Sequence, residues 1–295
     1  MSLLIALMQE NPEAARAATE TAAAATHAAA GHAEGGSFDA GHMILEHILD
    51  SHVMEFPPFG EVHLPEIHLW GMDLSITRHI VMMWIASLCV LVLALLAARV
   101  EKHVRGRLGN VVEMAVLFIR NELAIPNIGH HGERYVPLLL TTFLFILFTN
   151  LLGLVPFGAT ATANLSVTAA LALMAFVMTQ AAGIRENGLG GFLKHLVPAG
   201  VPLWMYPIML PVEILGLITK PFALCIRLFA NMMGGHVVIL SLFGLIFIMG
   251  SWFVVPVSVG FVLFINFLEL LVAFIQAYIF TMLTSLFIGM AVHPH

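Results

Sequence analysis

The sequence predicts an all-α membrane protein: one N-terminal transmembrane helix, an interfacial amphipathic helix, a transmembrane helix hairpin and a long, strongly tilted membrane-embedded hairpin. Three observations predict it. Hydrophobic residues make up 60% of the chain and charged ones 10%, with a mean hydropathy of +0.95, a composition that excludes a soluble globular enzyme. Apolar runs of spanning length recur from residue 79 onward. The last of them are too long for a single upright crossing.

The chain divides into an extramembrane, partly disordered segment, 1–77, and a membrane-embedded part, 78–295. The first residues, MSLLIALMQE, carry a short apolar run without a basic flank, which argues against a cleaved signal peptide. Residues 11–41, rich in Ala, Thr, Glu and Gly, demand no core. HMILEHILDSH (42–52) has the pattern of a short amphipathic helix, and FPPFGEVHLPEIHLWG (56–71) reads as extended. Histidines are frequent here, but His42, His47 and His52 step by five. That spacing does not stack them on one helical face, so no metal site is expected.

HIVMMWIASLCVLVLALLAA (79–98) is the first span, YVPLLLTTFLFILFTNLLGLVPF (135–157) the second and ANLSVTAALALMAFVMTQAAGI (163–184) the third. Arg99, Lys102, Arg105, Arg107, Arg120 and Arg134 all lie between the first two spans, whereas 158–162 has no basic residue. The positive-inside rule makes 99–134 and 185–201 cytoplasmic and puts the N-terminus outside. Within the first cytoplasmic segment, NVVEMAVLFIRNEL (110–123) separates polar from apolar residues at helical spacing, as an interfacial helix does. Cys89 and Cys225 lie in apolar helical stretches and read as small hydrophobes.

From Leu203 to about Ile248 the chain is nearly all apolar; it turns at GSWFVVP (250–256) and is apolar again over 257–291. As one helix the first arm would run roughly 70 Å against a hydrocarbon core of about 30 Å, so it must be broken, tilted or both. Its polar residues are few: Glu213, Thr219, Lys220, Arg227, Asn231 and His236, with Asn266, Glu269 and Gln276 on the second arm. Thr219 can bond its own helix carbonyls.

A turn centred near Trp252 puts His236 level with Glu269, Gln276 level with Arg227, and Glu213 level with His293. Intramembrane ionisable residues of this kind mark ion pathways, and groups that titrate near neutral pH can relay protons. A guanidinium cannot relay a proton, but it can keep a carboxylate ionised. No carboxylate of this chain is level with Arg227, so its partner is expected on another chain, reached where Gly234 and Gly235 permit a close approach.

LITKPFALCIRLFANMMGGH (217–236), FIQAYIFTMLT (274–284), and FTNLLGLVP with TATANLSVT (148–168) together resemble subunit a of the F-type ATP synthase. The resemblance covers about 78–295. It implies an ion-conducting stator in a prokaryotic inner membrane, beside a rotating ring of c subunits and held by peripheral-stalk b subunits. Arg227 would be the family's essential arginine, facing the c-subunit carboxylate. Asn231, His236, Glu269 and Gln276 would belong to the outer of two offset proton half-channels, and Glu213 to the cytoplasmic one.

The chain departs from many bacterial members in exchanging His and Glu between 236 and 269, and it has Gly153 where some relatives carry Asp. The His–Glu pair favours protons as the coupling ion. No GxxxxGK[ST] is present, so nucleotide chemistry is expected on other subunits; no cofactor, metal or nucleic acid is expected. The alternative is a self-contained secondary transporter or channel, but those often show repeated halves and this chain has no evident repeat.

Overall fold

A computed structural model describes residues 53–56, 60–63, 68–69, 72–73, 77–100, 107–155, 160–195 and 205–293. Two short antiparallel hairpins come first. Strand β1 (Val53–Phe56) pairs with β2 (Gly60–His63), with Val53 opposite His63. Strand β3 (His68–Leu69) pairs with β4 (Met72–Asp73). The extended reading of 56–71 holds for the strand residues, and their pairing is a finding. The amphipathic helix expected at 42–52 lies outside the described residues.

The membrane part is all-α. Helix α1 spans Arg78–Val100. Helix α2 (Arg107–Phe118) runs on through a wide π-helical turn, Ile119–Ala124, into the short α3 (Ile125–Ile128) and a 3₁₀ segment, Gly129–Tyr135. Helix α4 (Val136–Gly153) and helix α5 (Leu165–His195) flank a 3₁₀ turn at Ala161–Ala163. Gly188 interrupts α5 with φ 69° and ψ 165°, a conformation open to glycine and costly for other residues. Helix α6 (Tyr206–Met249) and helix α7 (Val254–Val292) form the terminal hairpin. Among the described residues five helices, α1, α4, α5, α6 and α7, are long and apolar enough to cross a membrane.

The structure decides the fate of the long arm. Helix α6 is continuous over 44 residues, with Pro211 and Pro221 inside it. That is about 66 Å of helix, twice the hydrocarbon thickness, so tilt rather than a break accommodates it. Gly250 closes the helix in the left-handed conformation (φ 55°), its N–H bonding Ile246 O at 3.1 Å. Trp252 and Phe253 project from the turn, exposed.

Helix α7 is the central element, packed on α3, α4, α5 and α6, while α1 packs on α4. One core joins Ile119, Leu123, Ile128, Leu139 and Ile288. The other joins Ile146, Leu147, Ala175, Leu224, Leu228, Ala277 and Phe280. Lipid is as apolar as these side chains, so close contact and internal hydrogen bonds, more than the hydrophobic effect, hold such helices together. Gly289 supplies one close contact: a Cβ there would lie 2.0 Å from Asn127 O. Nearby, Ser285 Oγ donates to Leu123 O at 2.7 Å.

The interfacial helix therefore has two parts. Val111, Met114 and Leu117 stay exposed along α2, suited to a lipid surface, while Ile119 and Leu123 turn into the core. Phe118 meets Tyr278 of α7 at 5.9 Å between ring centroids.

Candidate functional site

The inward side of α6 is set by Leu224, Leu228 and Met232, all buried. Arg227 lies about 100° around the helix axis from Leu228, and it is exposed on the flank of the bundle. Among the described residues it forms no ion pair. One turn further on, Asn231 Nδ2 donates to Gln276 Oε1 of α7 at 2.8 Å. The sequence-derived register put Gln276 level with Arg227, and Gln276 bonds the residue four positions along. Its Oε1 is satisfied, but its buried Nε2 has no hydrogen-bond partner among the described residues.

Glu269 is 8% exposed. It packs on the α6 backbone, where a Cβ on Gly235 would stand 1.8 Å from Glu269 Oε1. Only glycine leaves room for the carboxylate there. Glu269 Oε1 is buried without a hydrogen-bond partner among the described residues. The register that set His236 level with Glu269 matches to one residue. His236, however, takes a different contact: its Nε2 meets Thr160 Oγ1, from the loop between α4 and α5.

Behind Thr160 lies a set of buried polar groups that the sequence reading did not single out. Thr162 Oγ1 donates to Asn150 Oδ1 at 2.8 Å, and both residues are fully buried. A Cβ on Gly153 would fall 2.0 Å from Thr160 Oγ1. A side chain at 153 is thus incompatible with Thr160 where it stands. The signal was available as FTNLLG followed by TATAN, a run of small polar residues between two apolar spans.

Gly234 differs from its neighbour. Nothing lies within 4 Å of a Cβ built on it. The close approach expected at Gly234 and Gly235 is thus divided: Gly235 receives Glu269 of this same chain, and Gly234 stays open.

Glu213 is half-buried, with no hydrogen bond or ion pair among the described residues. It does not meet His293, whose Nε2 contacts Ile128 O at 3.0 Å and whose ring stacks on His131. Thr219 Oγ1 bonds Leu215 O of its own helix at 2.6 Å. Lys220 Nζ lies 5.5 Å from the centroid of the Phe287 ring, a cation–π distance.

The family model described as ATP synthase A chain matches residues 80–289, which include every one of these positions but His293. The chain belongs to the ATP synthase A chain family. Relatives named ATP synthase subunit a come from Chloroherpeton thalassium, 55% identical over 81% of this chain and 73% of its own, and from Myxococcus xanthus, 59% identical over 76% of each. Another, named ATP synthase subunit a 2, comes from Chlorobaculum tepidum, 52% identical over 80% of this chain and 68% of its own. The resemblance to subunit a of the F-type ATP synthase is borne out, and with it a multi-pass place in the membrane sector of that complex. Within the family fold, Arg227, Asn231, His236, Glu269 and Gln276 all fall on the α6–α7 hairpin.

Proposed function

We propose that the chain is the non-catalytic, ion-conducting stator of the rotary motor, supplying two offset proton half-channels to a ring of c subunits and coupling proton flow to ATP synthesis. The peripheral-stalk b subunits would hold it against the torque. One observation carries the reading: a permanently charged Arg227, exposed on the flank of a membrane helix with no acid paired to it among the described residues, on the same hairpin as a buried Glu269. A charge so placed is expensive in lipid and calls for an opposing carboxylate on another chain.

In this reading a proton enters from outside, passes His236 and reaches Glu269. From there it moves to the c-subunit carboxylate after that group has passed Arg227. The guanidinium lowers the carboxylate's proton affinity, so the group arrives ionised. It also stands as a fixed positive charge between the two half-channels and opposes direct leakage. Asn231 and Gln276 fix the surface beside it. On the cytoplasmic side Glu213 receives the released proton. The orientation follows the basic residues between α1 and α4: N-terminus outside, C-terminus cytoplasmic, in a prokaryotic inner membrane.

Arg227→Ala in the assembled complex tests the reading. In inverted vesicles, ATP-driven acidification and passive proton leak are measured separately. Lost pumping with intact assembly and raised leak is the expected result. Pumping near the wild-type level would make the arginine structural and sink the mechanism.

A further inference from the structure

His79 stands in the first turn of α1 and is 5% exposed. Beyond it α1 has no acid or base until Arg99. A buried histidine at the mouth of an otherwise apolar helix needs a reason, because imidazole is polar in either protonation state. Its surroundings supply one. Helix α1 packs on α4 and also touches the 3₁₀ turn Ala161–Ala163, the loop that carries Thr160. His79, Met82 and Ala86 are buried along one stripe of α1, at i, i+3 and i+7, so His79 lies on the side that faces the bundle. Thr160, which opens that 3₁₀ turn, meets His236 Nε2. Three segments far apart in sequence, the start of α1, the α4–α5 loop and the middle of α6, thus converge around the Thr160–His236 contact. Asn150 and Thr162 line the same place, and Asn150 Nδ2 is buried there without a partner among the described residues.

We infer that His79 is the outermost proton-transferring group of the outer half-channel, delivering protons to His236 through the Thr160 hydroxyl. The inference rests on the half-channel reading above. A hydroxyl both donates and accepts. Thr160 Oγ1 therefore takes a proton from the His79 side, directly or through one bridging water, as it gives its own to His236 Nε2. His236 passes a proton to the Glu269 carboxylate, Glu269 hands it to the c-subunit carboxylate, and His79 regains a proton from the outer water. Once the Thr160 hydroxyl has turned, each group is back in its starting state with one proton moved inward. The location agrees with the assignment: with the N-terminus outside, the first turn of α1 and the α4–α5 loop share the outer face.

The test uses the complete complex in proteoliposomes, with a potassium diffusion potential driving protons inward from the outer side and a pH-sensitive dye inside. His79→Ala should assemble and cut the flux by about a hundredfold, the low end for loss of a positioned proton-transfer group. Free imidazole added outside should restore much of it, which a merely structural residue would not permit. His79→Asn, close in shape but unable to titrate, should behave as His79→Ala does. Wild-type flux in either variant overturns the proposal. So does reduced flux that imidazole fails to restore, or a failure of both variants to assemble, since each assigns His79 a structural task. If the wild-type complex itself carries no protons, the half-channel reading fails instead.

Discussion

Two polar groups lie on the same helix a few turns apart, and the protein treats them oppositely. Around His236 the chain closes over its own chemistry: Glu269 is packed into the gap left by Gly235, and Thr160 reaches across from another loop. Around Arg227 the chain leaves its chemistry on the surface, with Asn231 also exposed and Gly234 open. Burial inside one chain suits a passage whose steps must stay fixed. Exposure suits a group whose partner comes and goes. The two clusters thus read as a conduit and a contact surface, and substitutions that act differently on them sharpen or break the comparison.

The largest effect belongs to the surface. Arg227→Ala should abolish ATP-driven acidification, because no other Lys or Arg follows it in the chain to replace its charge. Arg227→Lys should recover little. It keeps the charge but replaces a planar fork of five donors with a compact ammonium. If Lys restored full pumping, charge alone would suffice and guanidinium geometry would be irrelevant. Glu269→Gln comes next. It keeps the shape of a buried side chain and removes its titration, so proton-driven ATP synthesis should fall by about a hundredfold with assembly unchanged. A normal synthesis rate in that variant would mean that the buried carboxylate is not on the path.

Much of this contrast was legible in the sequence. The turn was fixed by GSW between two apolar arms, and the structure puts the helix ends at Met249 and Val254. Counting outward from the turn then placed Glu269 within one residue and Gln276 within about one turn of their contacts on α6, because a four-residue turn leaves two long antiparallel helices little room to slide. What was not legible came from segments with no regular spacing between them. Thr160 meets His236 across 76 residues, through a loop whose path no periodicity describes. Glu213 and His293 were level by the same count, yet the chain after α7 turns His293 toward Ile128 instead. The inward turn of Ile119 and Leu123 was also hidden. An interfacial helix and the edge of a core show the same pattern of apolar residues until a partner is known.

A glycine pair gives an intermediate effect and a direct comparison of the two clusters. Gly235→Ala adds one methyl where Glu269 Oε1 already sits, so either the carboxylate or the helix must shift. Overpacking of this kind typically costs about 1–3 kcal/mol, and proton flux should drop while the chain still assembles. Gly234→Ala adds the same methyl into open space. In the isolated, detergent-solubilised chain its thermal stability should match wild type, with Gly235→Ala melting lower. Equal melting of the two variants would erase the distinction between a closed and an open side of α6. A flux defect in Gly234→Ala confined to the complete complex would identify the open side as the surface that another chain approaches.

The smallest effect is expected at the bond that joins the two arms beside Arg227. Gln276→Leu removes the acceptor for Asn231 Nδ2 but also removes the buried Nε2 that lacks a partner. Interhelical hydrogen bonds in membranes contribute about 0.6 kcal/mol on average, and eliminating an orphaned polar group offsets part of that loss. Stability should therefore barely change. If Gln276 only braces the hairpin, pumping should barely change either, since Asn231 is exposed and can turn to other partners. If Gln276 instead lines the conduit, with its buried Nε2 turned toward the proton path, pumping should fall while stability holds. The two readings separate in one variant: a pumping defect without a stability defect would make Gln276 part of the conduit rather than a brace, and extend that conduit along α7 from Glu269 toward the level of Arg227.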